Sequence, residues 1–167
     1  MDITQFWNYI EDSREEADEC EEQAEALAAA LSKLKKNEIV DFQKHFSKCL
    51  DDAYRWDLWA VAYIIHGGCS DDSFEYFRAW LIGQGRAYYE AALASPEKAA
   101  DKAEPGEYAE CEDLLYAAAS AYESVTGHDE LPAYPRNQPS EPAGKKWDED
   151  NVGKLYPRLA QRFELGE

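Results

Sequence analysis

The stretch from Trp56 to Tyr89 constrains this chain more than any other, because it makes one buried element stop and a second start almost at once. Leu58 to Ile65 is apolar on every side. Such a run suits either a helix buried all round or an internal strand. The chain holds no second strand-like run to pair with it, so helix is the better reading. Gly67 or Gly68 can adopt the left-handed conformation that closes a helix, and Ser70 can cap the next one. Asp71 and Asp72 then occupy the first turn, where the positive end of the helix dipole favours them. Phe74, Phe77 and Leu81 share one face of that second helix, with Tyr76 and Trp80 on a neighbouring one. Three of the five tryptophans lie in this helical corner.

A length of 167 residues fits one domain, which at this size buries roughly 70% of its unfolded surface and needs neither metal nor disulfide to fold. With 17 basic and 35 acidic residues the net charge is −18. That excess opposes direct binding to nucleic acid or anionic membrane and favours a basic protein partner. Cys20, Cys49, Cys69 and Cys111 are scattered, with no pair at zinc-ligand spacing, and read as buried, reduced thiols. The opening residues lack the basic region and long apolar core of a signal peptide, and no apolar run is long enough for a membrane span. The expected setting is the cytoplasm.

Ile3, Phe6, Trp7 and Ile10 form a short amphipathic first helix, with Asp2 and Gln5 as its capping pair. Ser13 and Glu16 repeat that signature, predicting a long second helix from Arg14 to about Leu34. Its apolar stripe is narrow: Ala17, Cys20, Ala24, Leu27, Ala28 and Leu31. Between Met1 and Ser32 there are ten acids and one arginine, half of the whole net charge. Glu11, Glu15, Asp18, Glu22 and Glu25 would line one row, either as a solvated face or as a docking surface for a basic partner. No apolar pocket is apparent that would turn any of them into an acid catalyst. A third helix follows with Ile39, Phe42, Phe46, Cys49, Leu50 and Ala53 buried and His45 on the solvent side.

After the central corner, helix resumes at Arg86, and Pro96 opens another turn. The Gly83-x-Gly85 pair is no phosphate loop, because it lacks a preceding strand. Tyr108, Cys111, Leu115, Ala118, Tyr122 and Val125 recur at helical spacing and predict one long helix ended by Gly127. Residues 131–146 hold four of the seven prolines and should form an extended strap across the surface. Trp147 and Asp148 re-anchor the chain, with a staple to Val152, and Leu155, Leu159 and Phe163 return to the core.

Several of these residues also carry a resemblance. Phe6-Trp7, Trp56-Asp57-Leu58-Trp59, Gly67-Gly68-Cys69-Ser70-Asp71-Asp72 with Phe74, Phe77-Arg78, Trp80-Leu81-Ile82, Gly85, Tyr89, Trp147 and Tyr156-Pro157-Arg158-Leu159 resemble domain-of-unknown-function family 4240, a bacterial and largely actinobacterial family. The likeness spans nearly the whole chain. It implies a self-contained fold and transfers no activity.

Two constellations are candidates for function. Asp57, Trp59, His66, Asp72, Arg78, Trp80 and Arg86 could line a pocket for a small anionic or planar ligand. If Arg78 is instead a buried brace, it needs a carboxylate from Asp57, Asp71 or Asp72. His66, Cys69, Asp71, Asp72 and Glu75 crowd the elbow, yet helix-end electrostatics explain them without a metal, and no cofactor or catalytic residue is assigned. The sequence therefore predicts an all-α single domain, an irregular bundle of seven or eight helices with a proline-rich C-terminal strap. Its leading functional reading is a non-enzymatic adaptor, inhibitor or immunity-like module that engages a basic surface through the acidic N-terminal row. A ligand-binding or enzymatic corner and a DNA-mimic inhibitor are the alternatives.

Overall fold

In the computed structural model, which describes residues 1–166, the all-round apolar run forms helix α4 (Trp56–His66). Leu58, Ala60, Val61, Ala62 and Ile64 are fully buried there, and each fully buried leucine or isoleucine contributes about 1.5–3 kcal/mol. Gly67 adopts φ +69° and ends the helix, the Gly68 N–H donating to the Tyr63 carbonyl at 3.0 Å. Ser70 Oγ accepts the Ser73 N–H at 3.2 Å and opens α5 (Asp71–Gly83). The corner is filled by rings: Trp59 lies flat against Trp56 at 5.1 Å and against Phe74 at 5.0 Å. At the far end of α5, Gly85 takes φ +103° and ψ +169°, a region close to glycine-only. This sharp bend starts α6 (Arg86–Ala94).

The N-terminal third departs from the expected boundaries. Asp2 and Gln5 do form a capping box, but α1 runs from Ile3 to Glu16, straight through Ser13. Ser13 is buried, and its hydroxyl donates to the Ile10 carbonyl at 2.6 Å instead of capping a new helix. The break falls at Ala17–Glu19, and α2 (Cys20–Leu31) folds back to pack on α1. Buried Gln23 on α2 ties the hairpin to the corner, its Nε2 donating to the Gly83 carbonyl at 2.9 Å. Helix α3 (Lys36–Asp52) buries the expected face, including Ile39, Phe42, Phe46, Cys49 and Leu50. His45 is half-buried rather than plain surface, with Nε2 2.9 Å from the Met1 carbonyl and its ring 5.6 Å from that of Phe6.

The long helix expected from Tyr108 does not form. Tyr108 is 79% exposed, a 3₁₀ turn covers Glu112–Tyr116, and α7 spans only Ala117–Thr126. Competing partners draw the chain out of helix at this point. The Cys111 N–H donates to the Tyr76 carbonyl at 2.9 Å, and the Ala109 N–H donates to His66 Nε2 at 3.0 Å. Cys111 is moreover bonded to Cys20, with Cα atoms 5.5 Å apart. The reading of four reduced thiols is corrected for this pair, and the cysteines no longer argue for a reducing compartment. Cys49 and Cys69 remain free.

Residues 131–146 run without helix as the expected strap. Tyr134 Oη lies 2.6 Å from Ser47 Oγ, and Arg136 grips the Asp51 carboxylate with two bonds of 3.0 and 2.7 Å. Ala143 pairs its backbone with Tyr54 and Trp56. Trp147 then packs edge-on against Trp56 and donates its indole N–H to the Trp56 carbonyl at 2.6 Å. Val152 and Leu159 reach the core, but Leu155 is 51% exposed, contrary to expectation. The short last helix is α8 (Pro157–Arg162). The result is an all-α fold of eight α-helices with no strand among the described residues, packed around one continuous core. None of these helices is long and apolar enough to cross a membrane.

Candidate functional site

The seven residues grouped at the corner are dispersed by the fold. Asp57 is held by Arg55, with Nη2 2.6 Å from Oδ2 and Nε 3.0 Å from Oδ1. It borders a hollow of about 400 Å³ beside Trp147, Leu155 and Tyr156. Trp59 donates its indole N–H to the Cys69 carbonyl at 2.9 Å. Asp72 is exposed in the first turn of α5. Arg86 pairs with Glu90 one turn on, at 2.9 Å. Trp80 lies against Phe77 and borders a separate, polar cleft. Arg78 borders a third hollow of about 190 Å³. Each of these three hollows holds one of the seven residues.

Arg78 is a brace, but not the one expected. Only 7% exposed, it forms no ion pair among the described residues. Its Nη1 donates to the Leu50 carbonyl at 2.8 Å and its Nε to the Phe74 carbonyl at 3.3 Å. The guanidinium carbon sits 4.6 Å from the Tyr54 ring centre and 4.7 Å from that of Phe74. Two aromatic faces and two carbonyls thus take the place of the carboxylate.

His66 accepts the Ala109 N–H through Nε2, so its proton resides on Nδ1. Burial lowers its pKa, opposed by the nearby Ala62 carbonyl. The neutral ring is therefore the folded form. Its stabilisation is complete above the unfolded histidine value of about 6.5 and is lost as pH falls through the lower folded value. Between about pH 7 and about pH 5, wild type should lose unfolding free energy relative to His66→Gln in urea titrations; parallel profiles would contradict this. Burial also pushes the free Cys49 and Cys69 thiols up to about 12, leaving them protonated and poorly nucleophilic near neutrality. No three His, Cys, Asp or Glu side chains converge as a metal centre among the described residues.

The acidic residues are arranged differently from a single row. Glu11 and Glu15 lie on α1, Asp18 in the turn, and Glu22 and Glu25 on α2. Glu11 is half-buried against Gly85, whereas the other four are exposed. None of the ten acids between Met1 and Ser32 forms an ion pair among the described residues. Arg14, the one basic side chain in that segment, directs Nη1 to the Asp18 carbonyl at 3.2 Å. Sequence reasoning found these acids by composition; it missed the turn that divides them, because that turn depends on where Ser13 and Gln23 are buried.

Comparison with known proteins adds one match. Residues 1–124 fit the family model described as a protein of unknown function (DUF4240). No curated protein and no solved structure matches the chain.

Proposed function

The chain belongs to the DUF4240 family, and from that premise we propose that it is a non-enzymatic protein-binding module whose α1–α2 hairpin docks a basic protein surface. One observation carries this reading: among the described residues none of the ten acids of the hairpin region has an ion-pair partner, whereas five acids elsewhere, Asp41, Asp51, Asp52, Asp57 and Glu90, do. Exposed like charges destabilise the free protein, and a basic partner relieves that repulsion on binding. The same field raises the association rate and makes it sensitive to salt. It also opposes direct contact with nucleic acid.

The test is recovery of partners from the native host by tagged wild-type protein and by the triple variant Glu15→Lys, Asp18→Lys, Glu22→Lys. These positions are exposed, so the variant should fold. A basic protein retained by wild type, lost with the triple variant and released as salt rises supports the module. Partners held equally by both proteins, or indifferent to salt, refute it. If the recovered partner is a DNA-binding protein that DNA displaces, the module acts as a DNA mimic.

A further inference from the structure

The Arg78 brace leaves one edge of a buried cation unused. Its Nε and Nη1 are taken by the Phe74 and Leu50 carbonyls. Nη2 has no hydrogen-bond partner among the described residues, and unlike His66 Nδ1 and Gln84 Oε1 it is not sealed from solvent. The opening that Arg78 lines is the hollow of about 190 Å³. Buried charges are ordinarily paired, yet this guanidinium is only 7% exposed and has no carboxylate at ion-pair distance.

The other walls say what would complete it. Gln43 comes from α3, Glu75 stands with Arg78 on α5, and Arg136 and Gln138 come from the strap. Arg136 is already neutralised, since Nε and Nη2 grip the Asp51 carboxylate. Glu75 forms no ion pair among the described residues. It lies three residues before Arg78 and so on the same face of α5. Burial lowers the pKa of Arg78, and Glu75 is the first charge to oppose that shift. The carboxylate is therefore within electrostatic reach of the guanidinium but beyond salt-bridge distance. The hollow thus offers one cation and one anion, each without a partner, and two side-chain amides that donate and accept. A simple anion would meet Glu75, and a simple cation would meet Arg78.

We propose that this hollow binds a small free α-amino acid, with its carboxylate on Arg78 Nη2 and its ammonium on Glu75. Such a ligand joins the two charges through one carbon, satisfies both unpaired wall groups and adds no net charge to a protein already at −18. Charge-assisted bonds of this kind are roughly twice as strong as neutral ones. The hollow is smaller than the roughly 300–1,000 Å³ of drug-sized sites, which restricts the ligand's own side chain to a small one. The site is built from α3, α5 and the strap, and it does not depend on the α1–α2 docking face.

The test titrates isotope-labelled protein with glycine, with its two halves acetate and methylammonium, and with phenylalanine, at constant ionic strength. Glycine should shift the Arg78 Nε–H and the Gln43 and Gln138 amide signals and bind at least about tenfold more tightly than either half. Phenylalanine should be excluded by size. Glu75→Gln should abolish the advantage of glycine over acetate, and Arg78→Met should abolish binding of both, the spectra themselves reporting that each variant is folded. Because Arg78→Met also costs stability, Arg136→Gln, at an exposed position, serves as a second variant: it uncovers the Asp51 charge beside the ligand carboxylate and should weaken glycine several-fold. Glycine no tighter than acetate, phenylalanine bound as well as glycine, an equal effect of Glu75→Gln on glycine and acetate, or Arg78 and Gln43 signals that no probe moves would each overturn the site.

Discussion

Reducing the Cys20–Cys111 bridge should lower the unfolding free energy by about 4–5 kcal/mol, the loop-entropy value for a closed loop of this size. The two cysteines are 91 positions apart, so the unfolded chain gains much freedom when the bond opens. That loss is a large fraction of the roughly 5–15 kcal/mol that holds a typical domain together. The geometry of the site points the same way. Cys111 is 2% exposed and sits where the chain leaves Tyr76 to enter a 3₁₀ turn, while Cys20 opens α2. The bond therefore fastens the acidic hairpin to an irregular segment whose other ties are the Cys111 N–H to the Tyr76 carbonyl, the Ala109 N–H to His66 and the packing of buried Leu114. Urea unfolding with and without a reductant measures the effect. The double variant Cys20→Ser, Cys111→Ser should match the reduced protein and show no further response to reductant. A thiol titration of unreduced, denatured protein should count two free thiols, Cys49 and Cys69. Four thiols, or unchanged stability on reduction, would contradict the bridge.

The elbow between α4 and α5 was legible in the sequence because its determinants are local. A helix stop needs one glycine in the left-handed region, a helix start needs one hydroxyl near its own third amide, and both partners lie within a few residues. Gly67 and Ser70 fill these roles as expected. The misses have the opposite character. Ser13 looks like a cap, but its hydroxyl bonds back to Ile10 because the position is buried beside Gln23, and Gln23 is buried because Gly83 leaves room for it. A Cβ at Gly83 would stand 2.7 Å from Leu114 and 3.4 Å from the Gln23 amide. Helical spacing at Tyr108 and Cys111 was overridden in the same way by Tyr76, His66 and Cys20, all distant in sequence. Of the candidate site, the acids were found by composition alone. The hollow beside Arg78 was not legible, since its walls come from α3, α5 and the strap and meet only in the fold.

Arg78 gives the second large effect. Arg78→Ala should lower the unfolding free energy by about 2–4 kcal/mol. A charged donor to a buried carbonyl contributes roughly 1.5–3 kcal/mol, and the Leu50 carbonyl would be left without its partner. The guanidinium between Tyr54 and Phe74 adds about 1–2 kcal/mol of cation–π attraction in a desolvated site. Removing the stem also opens a cavity between α3 and α5. Against these losses stands one gain, because burial works against the charge and lowers the arginine's pKa; deleting the charge removes that penalty. The balance separates three variants. Arg78→Met keeps most of the volume, relieves the desolvation and loses the carbonyl bond, so it should cost about 1–2 kcal/mol. Arg78→Lys retains a charge that is as hard to desolvate but cannot both reach Leu50 and lie flat between two rings, so it should be no milder than methionine. A carboxylate-paired arginine would give the opposite order, with lysine the milder change and methionine severe because it strands a buried acid. Equilibrium unfolding of the three variants reads the order directly. A cost below about 0.5 kcal/mol for alanine, the range of ordinary surface changes, would mean that the side chain faces the neighbouring hollow instead of bracing α3 against α5.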